Sequence, residues 1–191
     1  YSSDGTNWTG LGTSIFSTKG YRVAWNGSMW VATGYGTNGI AYSSDGTNWT
    51  GLGTSIFSNY GNGVASSPAP RLYPAPNEEN LWVAVGNGTN SIATSSDGTN
   101  WTGLGTSIFG TAGYGVAWNG SMWVAVGKGT NSIAYSSDGT NWTGLGTSIF
   151  SDWGLRVAWN GSMWVAVGDG TNSIAYSSDG KNWTGVPETT I

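Results

Sequence analysis

The chain contains no cysteine and no histidine among its 191 residues. Disulfides, thiolate nucleophiles, histidine-based triads and His/Cys zinc sites are therefore excluded. Charged residues make up only 8% of the chain, against roughly 25% in ordinary globular proteins. The net charge of −4 argues against nucleic acid as a partner, because nucleic-acid binding needs a basic surface. No apolar run reaches the length of about 18 residues that a membrane-spanning helix needs, so we expect no membrane contact, and no signal peptide is visible.

Glycine, tryptophan and tyrosine are abundant instead, with 33 Gly, 13 Trp and 9 Tyr. A glycine-rich chain could be disordered, but disordered chains are poor in aromatic residues. No apolar period of 3.6 residues runs along the sequence, and residues that favour helices are uncommon. The composition therefore predicts a folded, all-β protein.

One phrase, SSDGxNWTG, occurs five times. Its aspartates are Asp4, Asp45, Asp97, Asp138 and Asp179, which are 41, 52, 41 and 41 residues apart. A period of about 40–45 residues is typical of a β-propeller, in which each repeat forms one blade of four antiparallel strands. We therefore expect residues 1–191 to form a single propeller domain.

One complete repeat shows how a blade would be built. Short runs rich in β-branched and aromatic residues predict strands at 113–118, at 121–126, at 131–136 and from 141 onwards. The Asn-Gly and Asp-Gly pairs between these runs are typical of tight hairpin turns. A single blade cannot bury both of its faces, so neighbouring blades must stack around a common axis.

The tryptophans fall into two groups. Trp123 and Trp142 recur at equivalent positions of the repeats, so we expect them to be buried between blades. Trp153 has no tryptophan counterpart in the other repeats, and we expect it to be more exposed.

The repeats do not divide evenly into blades. The sequence has four copies of the first two strands and five of the last two, because it begins within a third strand at Tyr1. We expect four full blades preceded by an N-terminal half blade at about 1–16, and we favour a five-bladed parent. The alternative is a fragment whose open end pairs with another chain, which would make the protein self-associate.

The spacing of 52 residues comes from an insertion at 66–80 in the second full blade. This insertion contains four prolines, which favour an extended, stiff loop over a strand. A tolerated loop insertion is the favoured interpretation, and a segment that docks a partner is the alternative.

The Ser-x-Asp-Gly-x-x-Trp phrase lies between the third and fourth strands of each repeat. It resembles the Asp-box, or BNR, repeat of sialidase-like propellers, although the Asp-to-Trp spacing is one residue shorter here. In that family the box is a structural hairpin, and the resemblance implies the same role for these residues. The residue types agree, because an aspartate can accept backbone N–H groups of its own turn and the tryptophan can pack beneath it.

Sialidases of this architecture use an arginine cluster, a Tyr–Glu pair and a further acid, and the chain lacks that pattern. Arg22, Arg71 and Arg156 lie in separate blades. Glycoside hydrolysis needs two opposed carboxylates. Asp152 and Asp169 lie in one blade and are a conceivable pair. The favoured interpretation is that both are solvated charges in loops. Each Asp-Gly turn supplies one carboxylate, whereas a calcium loop needs several oxygens. We therefore expect no enzymatic activity, no cofactor and no metal.

The few differences between repeats concentrate in two stretches, one after each Ser-Ile-Phe and one at a single position after the second strand. Strands in a blade alternate in direction, so both stretches lie on the same face, opposite the Asp-Gly turns. Loops on a rigid scaffold often carry binding residues, and aromatic and polar side chains together suit sugars. The candidate ligand-binding residues are Lys19, Tyr21, Arg22, Tyr35, Tyr60, Asn87, Tyr114, Lys128, Trp153, Arg156 and Asp169.

The sequence thus predicts a non-enzymatic, lectin-like module that binds a glycan or a small polar ligand through this variable face. The alternative is a structural or designed repeat scaffold without a small-molecule ligand, in which the variable positions reflect drift where packing does not constrain them.

Overall fold

A computed structural model describes residues 1–67 and 80–186, and this part of the chain contains four similar units of four antiparallel strands and no helix. Blade 1 comprises β1 (Lys19–Trp25), β2 (Trp30–Tyr35), β3 (Ile40–Ser43) and β4 (Thr50–Gly51). Blade 2 comprises β5 (Tyr60–Ser66), β6 (Trp82–Asn87), β7 (Ile92–Ser95) and β8 (Thr102–Gly103). Blade 3 comprises β9 (Ala112–Trp118), β10 (Trp123–Lys128), β11 (Ile133–Ser136) and β12 (Thr143–Gly144). Blade 4 comprises β13 (Trp153–Trp159), β14 (Trp164–Asp169), β15 (Ile174–Ser177) and β16 (Thr184–Gly185). The chain is an all-β propeller with four complete blades, as the repeat predicted.

The turn between the first two strands of a blade is wider than the sequence predicts. In blade 3, Asn119 Oδ1 accepts hydrogen bonds from the backbone N–H groups of Ser121 (2.9 Å) and Met122 (2.7 Å). Gly120, which follows Asn119, has a φ of 105°, a conformation that favours glycine. The second strand therefore begins at Trp123 rather than at 121.

Consecutive blades are joined by one bridging residue pair and by a buried phenylalanine. Lys128 of β10 pairs with Trp153 of β13, and equivalent bridges join blade 1 to blade 2 and blade 2 to blade 3. Phe109 is fully buried against Gly127; a Cβ atom at Gly127 would lie 2.6 Å from the phenylalanine ring. Glycine is required at that position because the ring and the strand approach so closely.

The hydrophobic core lies between the blades. Val124 and Val126 of blade 3 pack against Trp164, Ala166 and Ala175 of blade 4. A cluster of equivalent residues lies between blades 2 and 3, and a similar one lies between blades 1 and 2, where Thr33 stands at the position of the second valine. At each of these junctions the earlier blade contributes its valine side and the later blade its tryptophan–alanine side.

The tryptophans follow the prediction only in part. Trp123 is 1% exposed, as expected. Trp142 and Trp153 are both half-buried, so the structure shows no clear contrast between them. Trp142 packs at the edge of the cluster between blades 2 and 3 and donates its Nε1–H to the Gly139 carbonyl at 2.7 Å. Trp153 is shielded by side chains of other variable residues, Lys128 among them.

Residues 1–18 carry the first SSDGxNW copy but no assigned strand. Tyr1 and Thr9 exchange two backbone hydrogen bonds of 2.8 Å, which close a hairpin around the motif. Trp8 in this hairpin is 74% exposed. The predicted N-terminal half blade therefore forms a hairpin without strands, and its end packs on blade 1, where the Ile15 carbonyl accepts a hydrogen bond from Asn38 Nδ2 at 2.6 Å.

The insertion predicted at 66–80 falls mostly on residues 68–79, which lie outside the described part of the chain. Its two ends are held together, because the Ser67 N–H donates to the Leu81 carbonyl at 2.8 Å. Because neighbouring strands within a blade are antiparallel, the variable stretches and the SSDGxNW turns lie at opposite ends of the strands. The insertion joins β5 to β6 at the same end as the SSDGxNW turns.

Candidate functional site

The SSDGxNW turns are built around their aspartates. Asp138 Oδ1 accepts hydrogen bonds from the N–H groups of Thr140 (2.8 Å) and Asn141 (2.7 Å) and from Ser136 Oγ (3.0 Å). Its Oδ2 accepts from Asn141 Nδ2 at 2.8 Å. Bonds from the Asn141 side chain and backbone, followed by that from Thr140, lower the pKa of Asp138 to about 2. The same network recurs in the other four copies, so these aspartates are fully engaged within their own turns.

The strand register brings the two variable stretches together in every blade. In each blade the first residue of the first, inner strand (β1, β5, β9 or β13) pairs with the last residue of the second strand (β2, β6, β10 or β14). These pairs are Lys19 with Tyr35, Tyr60 with Asn87, Ala112 with Lys128, and Trp153 with Asp169. The last residue of a second strand also bridges to the next blade, so variable residues of two blades meet at each junction.

The junction between blades 1 and 2 forms a tyrosine pocket. The Tyr60 ring lies 6.2 Å from the Tyr21 ring and 6.0 Å from the Tyr35 ring, which it meets edge-on. The pocket has a volume of about 280 Å³ and is lined by Thr18, Lys19, Tyr21, Tyr35, Asn59 and Tyr60. Four of the eleven candidate residues, three of them tyrosines, thus line one concave surface.

The junction between blades 3 and 4 has similar residue types but is filled by its own lysine. Lys128 Nζ lies 4.2 Å from the centre of the Trp153 ring, which is within the range of a cation–π contact. The Tyr114 ring meets Trp153 edge-on at 6.1 Å. Burial, and secondarily the neighbouring Tyr60, raise the pKa of Tyr114. Lys128 and Tyr114 are the side chains that shield Trp153.

The junction between blades 2 and 3 is closed by amides. Asn59 Nδ2 donates to Asn87 Oδ1, and Asn87 Nδ2 donates to the Thr111 carbonyl at 2.7 Å. Asn62 is buried and donates to the Gly113 carbonyl at 2.9 Å. The candidate Asn87 therefore has both its amide atoms engaged by the protein.

The candidates Arg22 and Arg156 occupy equivalent positions of the inner strands of blades 1 and 4. Arg156 Nη1 donates to the carbonyls of Leu155 (2.6 Å) and Tyr114 (3.0 Å), and Arg22 Nη1 donates to the Tyr21 carbonyl (2.7 Å). Burial lowers the pKa of Arg156, and the positive charge of Arg22 lowers it further. Arg156 thus links blade 4 to blade 3, Arg22 bonds to its own neighbour in β1, and neither residue lines the tyrosine pocket.

The remaining candidate, Asp169, is exposed at the end of blade 4, where its carboxylate accepts the Gly170 N–H at 2.9 Å. The neighbouring Asp152 is also exposed, and its N–H donates to the Asp169 carbonyl at 3.2 Å. Within residues 1–67 and 80–186 no group of three acidic, histidine or cysteine side chains could hold a metal ion. The same residues include no helix long and apolar enough to cross a membrane.

Sequence reasoning missed two residues that line the tyrosine pocket, Thr18 and Asn59. Both belong to the variable stretch after Ser-Ile-Phe. Their equivalents in the other blades are Thr111 and Asp152, so the variation itself was the signal that could have found them.

Comparison of sequences finds no protein family and no curated protein that matches the chain. Solved β-propeller structures do resemble it. A chain of a nidogen/laminin complex aligns with a TM-score of 0.57 and 18% identity over 82% of this chain and 58% of its own length. The Niastella koreensis GH74 enzyme aligns with a TM-score of 0.60 and 21% identity over 90% of this chain and 30% of its own length. This chain spans only part of either protein, and the likeness establishes the fold alone.

Proposed function

We propose that the chain is a non-enzymatic, lectin-like binding module whose ligand is a single sugar unit held in the tyrosine pocket between blades 1 and 2. The observation that carries the proposal is the convergence of Tyr21, Tyr35 and Tyr60 with Lys19 and Asn59 around about 280 Å³. Ligand pockets usually run from about 300 to 1,000 Å³, so this one is at the small end and suits one ring better than an oligosaccharide.

The chemistry of the pocket suits a sugar. Aromatic rings provide apolar faces against which the C–H face of a sugar can stack, and phenol hydroxyls remain available as hydrogen-bond partners. The Lys19 ammonium adds donors, and the Asn59 side-chain carbonyl, whose Nδ2 is bound to Asn87, adds an acceptor for ring hydroxyls. No reacting group is needed for this role.

The three junctions differ in chemistry, which favours one site over repeated sites. Lys128 fills the aromatic cluster of Trp153, and Asn87 closes the middle junction. Binding would therefore follow a simple one-site isotherm. At those two junctions the variable side chains bind one another, which favours a structural role for them. A scaffold without a ligand is therefore the competing function.

We further propose that the SSDGxNW turns are Asp-box turns with one residue fewer between Asp and Trp. The aspartate-centred hydrogen bonds and the Trp142 Nε1–H bond to the Gly139 carbonyl support this assignment. A structural role for these turns leaves the opposite, variable face free for binding.

The proposal is tested by titrating neutral and acidic monosaccharides into the protein. Binding is detected by saturation-transfer NMR and its affinity is measured by calorimetry. Tyr35→Ala is the main variant, because Tyr35 is 42% exposed and its removal should leave the fold intact. We expect Tyr35→Ala and Tyr21→Ala each to weaken binding by about five- to tenfold, which corresponds to the loss of one aromatic contact of roughly 1–1.5 kcal/mol.

Trp8→Ala is the control, since Trp8 is an aromatic residue that is largely exposed and lies outside the pocket. It should bind like the parent. Absence of a response to every saccharide would favour the scaffold function, and binding that ignores both tyrosine variants would place the site elsewhere.

A further inference from the structure

The junction between blades 3 and 4 has the same plan as the tyrosine pocket between blades 1 and 2. The equivalent residues of the two junctions are Tyr21 and Tyr114, Tyr35 and Lys128, and Tyr60 and Trp153. The first and third members lie at similar distances, with ring centroids 6.2 Å apart in the tyrosine pocket and 6.1 Å apart between blades 3 and 4. The second member differs in kind, because a lysine replaces an aromatic ring.

The polar residues around the two junctions differ in charge. The further changes at the positions that line the tyrosine pocket are Asp152 in place of Asn59 and Ala112 in place of Lys19. Asp169 adds a second carboxylate, because it pairs with Trp153 across adjacent strands and the Cβ atoms of residues so opposed lie about 5 Å apart. The tyrosine pocket thus has a lysine beside its rings, whereas Trp153 has two aspartates nearby, and these favour a positively charged ligand.

The chain itself supplies a positive charge at this place. Lys128 Nζ lies 4.2 Å from the centre of the Trp153 ring. A lysine ammonium is strongly hydrated and sits on a flexible stem, and one partly exposed ring holds it only weakly. Quaternary ammonium groups are the cations that aromatic sites recognise best. The Lys128 ammonium therefore marks where such a cation fits, and it can move away when one binds.

We propose that the junction between blades 3 and 4 binds a small quaternary ammonium cation, for which choline is the probe, and that Lys128 occupies this site when the ligand is absent. The ligand displaces the Lys128 ammonium from the face of Trp153, and Tyr114 forms a side wall. Asp152 and Asp169 supply the opposing charge. This site is separate from the tyrosine pocket and takes a different class of ligand, so it goes beyond the proposed sugar-binding function.

The main test is removal of the lysine that competes with the ligand. Choline is titrated into the full chain and into Lys128→Ala, and the affinity is measured by calorimetry. We expect the affinity to rise by about three- to sixfold in Lys128→Ala, because the ligand no longer competes with a weakly held ammonium. Lys128→Arg keeps a cation beside the ring and should bind choline no better than the parent.

The uncharged analogue of choline in which carbon replaces the nitrogen has the same shape without the charge. It should bind neither protein measurably, since the ring face and the carboxylates attract the charge and not the methyl groups. Equal affinity for choline and for this analogue would overturn the proposal.

The repeats themselves supply variants that the fold tolerates, because alanine and asparagine already stand at the equivalent positions Ala112 and Asn59. In the Lys128→Ala protein, Trp153→Ala should abolish choline binding, and Asp152→Asn should weaken it by about two- to threefold. Tyr35→Ala, which removes a wall of the tyrosine pocket, is the matched control and should leave choline binding unchanged.

Three outcomes would each overturn the proposal. The first is no choline binding to Lys128→Ala, and the second is equal affinity for choline in the parent and in Lys128→Ala. The third is binding that survives Trp153→Ala but is lost in Tyr35→Ala, which would place the cation in the tyrosine pocket. None of these outcomes concerns sugar binding, so the two functions are tested separately.

Discussion

Val124→Ala and Val165→Ala make the same chemical change at equivalent positions of blades 3 and 4, and the structure predicts different costs. Val124 is completely buried, whereas Val165 is 39% exposed. Removing two buried methyl groups costs about 1.6 kcal/mol in transfer free energy, and the cavity left behind adds about 1 kcal/mol. At Val165 the transfer cost shrinks with exposure to about 1 kcal/mol, and solvent fills the space, so no cavity cost is added. The loss of β-propensity is common to both and cancels.

We therefore expect Val124→Ala to lower the free energy of unfolding by about 2.5 kcal/mol and Val165→Ala by about 1 kcal/mol. The measurement is urea unfolding in dilute solution, followed by tryptophan fluorescence and by circular dichroism, with the midpoint compared at constant m value. Coincidence of the two signals checks that the blades unfold together. Equal losses at the two positions, or a larger loss at Val165, would refute the assignment of the core to the junctions between blades.

Three further predictions concern the turns and the packing. The pKa of Asp138 is lowered from 3.8 to about 2 in the folded protein, so its ionised turn should stabilise the fold fully above about pH 4. This stabilisation should be lost as the pH falls toward about 2. Urea midpoints measured from about pH 6 to pH 2 should therefore decrease between about pH 4 and pH 2, and the decrease should be smaller in Asp138→Asn. Phe109→Ala should cost about 3–5 kcal/mol in urea unfolding, because the side chain is completely buried. Gly127→Ala should lower the melting temperature, since the added Cβ would collide with the Phe109 ring, whereas Gly10→Ala, with open space around it, should not.

Local sequence predicted the blade well because its signals are short-range. The Asn-Gly pair at 119–120 forms its turn through the Asn119 side chain and the positive φ of Gly120, and the aspartate of each SSDGxNW copy satisfies the N–H groups of its own turn. The strand boundaries shifted by one or two residues where these side chains extended a turn. The partial burial of Trp153 could not be read from local sequence, because its ring is shielded by Lys128, a residue 25 positions earlier in the sequence.

The common face of the variable residues also followed from sequence, since strand direction alternates within a blade. Their grouping did not. Tyr21 and Tyr60 come from different blades and meet because one residue of β2 bridges to β5. Which junction stays open depends on whether a lysine or an amide fills it, as Lys128 and Asn87 do.

The sequence by itself determined the period, the strands, the hairpin turns and the face on which the repeats differ, because each depends on residues close together in the chain. Tertiary structure alone decided which variable residues share a pocket and which identical residues are buried. Val124 and Val165 occupy the same phrase of the repeat, yet one is covered and the other is exposed. The physical reason is that a blade buries its valine side only against the next blade, and that neighbour is set by the assembly of blades rather than by local sequence.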